Sequence, residues 1–267
     1  MSAVNVAFSG SVPEKYDECL GPLLFEPYAL DICKRVKEIP GNAILEIACG
    51  TGRVTSHLSA QFPDAKITAT DLNPDMISIA KKRISSKNTE WMTADVQQLP
   101  FADESFDIIV CQFGFMFVPD KPKAFAETFR VLKKGGQLLF NTWDKIENNG
   151  PAKIANEAVT EFFKGDPPTF YKIPFSMYDA DEIKTLLANA GYKEVSVENV
   201  KKEGRNETAK NTAVGFIEGN PIYVEIINKD PSSIQAIELS LTNKLIQQFG
   251  DNPLICELSA FVCKGIK

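Results

Sequence analysis

The chain has 267 residues, 44 % of them hydrophobic, which is enough for an α/β domain with a sizeable core. It carries 29 basic and 35 acidic residues, and the net charge of −6 argues against general binding to a nucleic-acid backbone. No signal peptide and no apolar run of membrane-spanning length is seen, so we expect a cytoplasmic protein that does not bind membranes. Six cysteines without a C-x-x-C pair indicate a reducing compartment and no metal site.

Apolar periodicity predicts an N-terminal helix followed by a regular alternation of strands and helices. The helix covers 23–39 and ends at Pro40-Gly41. Five strands then read as nearly continuous apolar runs, which is typical of strands whose sheet is covered by helices on both faces. We predict strands at 43–48, 66–71, 90–94, 106–112 and 137–143, with helices at 53–61, 74–84 and 121–133 between them.

The regular alternation stops after residue 144. Residues 145–178 are rich in Pro, Phe and Tyr and have a poor period, and a helix at 181–191 precedes a strand at 194–200. A helix at 231–250 and a closing strand at 254–263 complete the chain. The whole pattern predicts an α/β fold: a doubly wound, Rossmann-like, seven-stranded and mostly parallel sheet with an antiparallel closing strand and helical lid insertions.

We expect one domain of several parts. Its N-terminal helical cover is 1–40, its cofactor-binding core is 41–144, and its lid or substrate insertions are 145–180 and 203–250. The remaining helix and strands of the sheet fall in 181–202 and 251–267.

The most informative motif is a glycine turn between the first strand and the following helix. Gly50 and Gly52 form this turn, and such a turn lets backbone N–H groups approach a ligand closely. Acids also end three successive strands, at Glu46, Asp71 and Asp95. Because ligands of doubly wound sheets bind beyond the carboxyl ends of the strands, this group of acids suits a ligand with an amine, a ribose diol and an adenine.

A dinucleotide cofactor is the first alternative, since Asp71 lies 19 residues after Gly52. Thr55 stands where a third glycine would follow, and Glu46 lies close to where a pyrophosphate would have to bind. The single histidine, His57, falls within a predicted helix, where a packing or surface role is favoured over that of a base. These features favour a cofactor that contains adenosine but no phosphate.

Five segments resemble the class I S-adenosylmethionine-dependent methyltransferases, in the small-molecule (type 11) branch related to the quinone-biosynthesis C-methyltransferases. The segments are EIACGTG at 46–52, TDLNPDM at 70–76, ADVQQLPF at 94–101, FDIIVCQF at 106–113 and RVLKKGGQ at 130–137. The resemblance is specific between residues 40 and 145. One departure is Ala48, where many relatives have the first glycine.

The resemblance implies S-adenosyl-L-methionine as the cofactor and a small molecule as the methyl acceptor. It implies no catalytic residue, because methyl transfer can proceed largely through the alignment of two reactants in a dry site. The implied contacts are Glu46 and the backbone of Gly50 and Gly52 for the methionine part, Asp71 for the ribose, and Asp95 and Val96 for the adenine edge. Leu72 and Met76 are implied for the purine face, although they could equally be core residues, and Ala48 is also a cofactor-binding candidate. Gln112 and Phe113 are implied for the sulfonium, and Tyr16 and Phe25 belong to an N-terminal cover.

Aromatic residues of the lid are candidates for an acceptor pocket, although they could equally seat the lid on the sheet. Two other functions stay open beside an active methyltransferase: a non-catalytic S-adenosylmethionine-binding protein and, less favoured, a nicotinamide-dependent oxidoreductase. The lid aromatics are Phe162, Phe163, Phe170, Tyr171, Phe175 and Tyr178.

Overall fold

The structure is a computed structural model that describes Gly10 and residues 12–267. The chain divides into two compact units, each assembled from three separate segments. Unit 1 contains the N-terminal segment up to Pro27, Asp144–Ser176 and Lys201–Ser259. Unit 2 contains Tyr28–Trp143, Met177–Val200 and Ala260–Lys267. The expectation that the chain is one domain stays a prediction.

A seven-stranded sheet forms the centre of the fold, as the sequence predicts. The strands follow the order β3-β2-β1-β4-β5-β7-β6. β1 pairs in parallel with β2 and β4, and the parallel pairing continues to β3 and β5, whereas β7 runs antiparallel to β5. The strands are β1 Ala43–Ile47, β2 Lys66–Asp71, β3 Thr89–Thr93, β4 Phe106–Gln112, β5 Leu132–Trp143, β6 Lys193–Asn206 and β7 Leu254–Ile266.

Helices lie between the strands and in the insertions. The sequence does not predict α6, α8 or α9, nor the π-helix at Tyr16–Phe25, which occupies the start of the helix expected at 23–39. The helices are α1 Val12–Lys15, the π-helix, α2 Glu26–Val36, α3 Arg53–Gln61, α4 Pro74–Arg83, α5 Lys121–Val131, α6 Gly150–Phe162, α7 Ala180–Asn189, α8 Ala209–Glu218, α9 Ile222–Lys229 and α10 Ile234–Phe249.

Two layers of apolar side chains cover the sheet of unit 2. On one face, α2 and α3 pack against the strands through a fully buried cluster that includes Ile32, Ile44 and Leu139. On the opposite face Phe115 stacks on Phe125 with ring centroids 4.5 Å apart, and Phe140 of β5 meets both rings. Successive residues of β5 therefore point to opposite faces, as the pleat of a strand requires.

Unit 1 has its own core, in which the π-helix, α8 and α10 meet. Gly215 of α8 allows the close approach, because a Cβ atom there would lie 2.7 Å from the Cβ of Cys19. Leu20, Phe216 and Leu241 are buried around this contact. No helix of residues 12–267 is long and apolar enough to cross a membrane.

Candidate active site at the carboxyl edge of unit 2

The glycine turn between β1 and α3 adopts the left-handed backbone that glycine tolerates. Gly50 has φ +55° and Gly52 has φ +82°. The two glycines answer different needs, because a Cβ on Gly52 would lie 2.9 Å from the Cβ of Ala80, whereas a Cβ on Gly50 would meet nothing within 4 Å. Gly52 thus permits the packing of α3 on α4, and Gly50 faces open space in which a ligand can approach its backbone.

Ala48 and Phe113 are left-handed as well, at the ends of the adjacent strands β1 and β4. Ala48 has φ +53° and Phe113 has φ +52°, a conformation that costs a residue with a Cβ about 1–2 kcal/mol. The two turns touch, because a Cβ on Gly114 would lie only 2.6 Å from the Cβ of Ala48. Strained backbone of this kind concentrates at functional sites, where the surrounding structure holds it in place.

Glu46 is a buried carboxyl group at the end of β1. Its side chain is almost fully buried, and its Oε2 atom has no hydrogen-bond partner among the described residues. Burial raises the pKa of Glu46 to about 8, with a smaller contribution from the charge of Asp71, while hydrogen bonding from Thr55 acts in the opposite direction. A positively charged group of a ligand would satisfy Oε2 and favour the ionised form.

Asp71 connects the end of β2 to the glycine turn. Its Oδ2 accepts a hydrogen bond from the backbone N–H of Gly50 at 2.8 Å, and its Oδ1 accepts one from the N–H of Asn73 at 2.8 Å. Burial raises the pKa of Asp71, although these N–H donors oppose the shift. Each oxygen retains a second lone pair, so Asp71 can hold the turn and still accept from a ligand hydroxyl group.

Asp95 follows β3 and forms a small network with Gln97, a residue that the sequence analysis does not single out. Its Oδ1 accepts from the backbone N–H of Gln97 at 2.8 Å and from the Gln97 side chain at 3.1 Å. The Gln97 Oε1 in turn accepts from the N–H of Asp120, the first residue before α5. Val96, between the two, is buried. The loop that carries Asp95 is therefore tied to the start of α5.

The two residues expected on a purine face differ in exposure. Leu72 is 69 % exposed, which is unusual for a large apolar side chain, and a flat ligand could cover it. Met76 is only 4 % exposed and belongs to the packed interior of unit 2. Of the two, Leu72 is the more accessible to a ligand.

Phe113 is the centre of an aromatic cluster whose other members, Trp143 and Tyr28, the sequence analysis does not identify. Its ring stacks on Trp143 at 3.9 Å, with only 6° between the ring planes, and meets Tyr28 edge-on at 5.4 Å. Tyr28 also meets Trp143 edge-on and donates its hydroxyl hydrogen to the carbonyl of Val200. The Phe113 N–H donates to the Asn141 carbonyl at 3.1 Å. These contacts hold the strained end of β4, next to Gln112.

The remaining expected site residues belong to unit 1, except Tyr178, which belongs to unit 2. Tyr16 and Phe25, both in the π-helix, stack on each other with centroids 4.7 Å apart. Among the lid aromatics, Phe170 and Tyr171 are buried, and the Tyr171 hydroxyl donates to the Phe216 carbonyl, so packing accounts for these two. Phe162 of unit 1 and Tyr178 of unit 2 are exposed, while Phe163 and Phe175 are partly exposed. Residues 12–267 contain no cluster of three potential metal ligands.

The known proteins that this chain resembles in sequence are named as methyltransferases. The methyltransferase domain family matches residues 45–140, which carry the glycine turn and all three acids. The ubiquinone/menaquinone biosynthesis C-methyltransferase UbiE of Shewanella halifaxensis is 29 % identical over 176 residues, covering 60 % of this chain and 70 % of that protein. The demethylmenaquinone methyltransferase of Lactococcus lactis is 31 % identical over 171 residues, or 61 % of this chain and 66 % of that protein.

A solved structure supports the same fold. The YcgJ protein from Bacillus subtilis matches with a TM-score of 0.59 and 18 % identity, over 90 % of this chain and 98 % of that one. At this identity the likeness shows the fold alone. Together with the five motif segments and the match over residues 45–140, the relatives show that the chain belongs to the class I S-adenosylmethionine-dependent methyltransferases, in the type 11 branch.

Proposed function

We propose that the chain binds S-adenosyl-L-methionine at the carboxyl edge of unit 2 and transfers its methyl group to a small-molecule acceptor. The observation that carries the proposal is the unsatisfied, buried Oε2 of Glu46 beside a glycine turn whose Gly50 faces open space. Glu46 would accept from the ammonium group of the methionine part. Asp71 would accept from the ribose hydroxyl groups, and Asp95 would accept from the adenine amino group.

The bound cofactor supplies an electrophilic methyl group on a positively charged sulfur. The chain would contribute alignment: the backbone of Gly50 and Gly52 would hold the methionine part, and Gln112 and Phe113 at the strained end of β4 would lie on the sulfonium side. Displacement of the methyl group in line with the attacking atom gains most from this fixed geometry and from the exclusion of water.

The names of the relatives suggest which acceptors to test first. One relative is named for ubiquinone and menaquinone biosynthesis and the other for demethylmenaquinone, so reduced quinones head the screen, followed by other phenols and by amines. A binding protein without turnover is the alternative, and it would be favoured if no acceptor in a broad screen were methylated by protein that binds the cofactor. None of the six cysteines, all of which lie among the described residues, forms a disulfide, and this supports a reducing, cytoplasmic setting.

Calorimetry with S-adenosylhomocysteine tests the cofactor assignment. We expect the wild-type chain to bind S-adenosylhomocysteine and not NAD, and we expect Asp71→Ala to weaken binding at least tenfold, because both the ribose contact and the support of Gly50 are lost. Asp75→Ala is the matched control, since Asp75 is exposed in the first turn of α4. Binding of NAD alone would overturn the proposal, and unchanged affinity in Asp71→Ala would overturn the ribose assignment.

A further inference from the structure

Asn141 of β5 has a buried carboxamide that the fold leaves unsatisfied. Its side chain is 0 % exposed, and neither its Oδ1 nor its Nδ2 has a hydrogen-bond partner among the described residues. A buried polar group without a partner destabilises a protein by about 1–3 kcal/mol, and an apolar side chain of similar size would avoid that cost. The retention of two unsatisfied atoms at one position therefore suggests a use beyond folding.

The neighbouring residue on the same strand shows that β5 can satisfy its buried polar groups. Thr142 is also fully buried, and its hydroxyl donates to the Met177 carbonyl at 2.9 Å. Thr142 lies on the same face as Phe140, whereas Asn141 lies on the opposite face, shared with Leu139. The satisfied hydroxyl of Thr142 and the unsatisfied carboxamide of Asn141 therefore lie on opposite faces of the sheet.

The face that carries Asn141 is also the face of the candidate site. Asn141 is the register partner of Gln112, the last residue of β4, and Glu46 pairs with Val110 two residues earlier. Register partners in adjacent parallel strands project their side chains from the same face, so Asn141 and Gln112 carry their carboxamides from adjacent positions of the sheet. Two carboxamides can exchange N–H···O bonds reciprocally, and a neutral pair places no competing charge near a sulfonium.

We propose that Asn141 is a positioning residue of the cofactor site. In the cofactor-bound protein its carboxamide bonds to that of Gln112 and fixes Gln112 against the sulfonium side of the ligand. Complete burial rules out direct contact between Asn141 and a ligand in this structure, so the effect is transmitted through Gln112. The inference rests on the proposed function, because it assumes that Gln112 faces the cofactor.

The decisive experiment compares two adjacent substitutions of buried polar residues, Asn141→Leu and Thr142→Val. For each we would measure S-adenosylhomocysteine affinity by calorimetry and the midpoint of denaturant unfolding without ligand. We expect Asn141→Leu to unfold at or above the wild-type midpoint but to bind about three- to tenfold more weakly, since one or two hydrogen bonds are lost. Thr142→Val should show the opposite pattern, with a lower midpoint and unchanged affinity.

A second measurement tests the route through Gln112. In the Gln112→Ala background, Asn141→Leu should weaken binding by less than twofold, because the group that Asn141 positions is already absent. If Asn141→Leu does not fold, Asn141→Val takes its place in both measurements. Unchanged affinity in the single variant, or an equal loss in the two backgrounds, would overturn the inference. Failure of the wild-type chain to bind S-adenosylhomocysteine would instead overturn the proposed function.

Discussion

Among individual residues, Glu46 has the most unusual chemistry in the described chain. It is a carboxyl group buried without a partner for Oε2, in a protein whose other acids at strand ends are held by backbone N–H groups. Burial raises the pKa of Glu46 to about 8, so at pH 7 the ligand-free protein holds this side chain largely protonated. The carboxyl group is therefore mostly uncharged in the empty site, and a cationic ligand would favour its ionisation.

We predict that Glu46 makes the free energy of unfolding fall as the pH rises. In the unfolded chain the group ionises near pH 4.5, whereas in the folded protein it holds its proton up to about pH 8, so between these values the folded state binds the extra proton. The stability of the wild-type protein relative to Glu46→Gln should decrease through this window, by at most about 1.4 kcal/mol per pH unit, and level off above pH 8.

Denaturant titrations between pH 5 and 9 would measure this difference. Glu90→Gln serves as the control, because Glu90 is exposed and forms a surface ion pair with Lys66, and its curve should parallel that of the wild-type protein. Parallel curves for Glu46→Gln and the wild-type protein would contradict the prediction.

The sequence alone identifies the acids and glycines of the site because their positions follow from local pattern. Glu46, Asp71 and Asp95 are recognisable as strand-end acids from the alternation of apolar runs. Asn141 and Trp143 are not recognisable in this way, because their importance depends on the pairing of β4 with β5 and on a stack with Phe113. The register between two strands cannot be predicted from the local pattern of either strand.

At the level of elements, the parallel core is predictable and the insertions are not. α3, β2 and β4 have the bounds that the sequence predicts, because continuous apolar runs and helical periods mark them. Half of the buried residues of α6 are alanines, at positions 152, 155 and 158, and these small side chains do not mark a buried helix face as large apolar residues do. In α8, Gly215 interrupts the helical pattern because the π-helix packs against it closely. Small residues that serve close packing thus hide helices from sequence analysis.

Arg130 of α5 organises the loop after Asp95, and we predict that Arg130→Lys loosens this loop. The guanidinium donates to the Leu99 and Phe101 carbonyls and to the Glu127 carboxylate, which in turn accepts from the Leu99 N–H. Lysine cannot reproduce this planar set of bonds. We expect faster hydrogen exchange across 97–105 and a loss of about 1–2 kcal/mol in the free energy of unfolding.

Hydrogen exchange followed by mass spectrometry would measure the effect. Lys134→Ala is a suitable comparison, since the Lys134 side chain is highly exposed and forms only a long surface ion pair with Glu104. If Arg130→Lys accelerated hydrogen exchange in β1 and β2 as much as in residues 97–105, the substitution would destabilise the protein globally, which would contradict a local role.

For the whole molecule, each of the two units is built from distant segments of the chain, so both depend on contacts of long sequence separation. The reactivity of the cysteine thiols depends on how tightly each unit is packed. Cys19 of unit 1 is partly exposed, whereas the other five thiols are buried, and burial raises the pKa of Cys111 and of Cys256 to about 12. Protonated, buried thiols react slowly with disulfide reagents.

We predict that one thiol of the native protein reacts rapidly with an aromatic disulfide reagent, whereas six thiols react in the unfolded protein. The fast equivalent should belong to Cys19, and Cys19→Ser should abolish it while leaving five thiols that react only on unfolding. Absorbance of the released thiolate measures both counts. Two or more fast equivalents in the native protein would show that a unit opens more readily than its buried core implies.

The contact between Ala48 and Gly114 restricts how this sequence can change over time. Alanine at position 48 leaves no room for any side chain at position 114, and the Cys111 sulfur, 2.7 Å from a Cβ placed there, closes the other side. A side chain at position 114 therefore requires changes at both position 48 and position 111, and a single substitution of Gly114 clashes on two sides. Glycine at 114 should therefore accompany alanine at 48 in descendants of this chain, whatever acceptor they methylate.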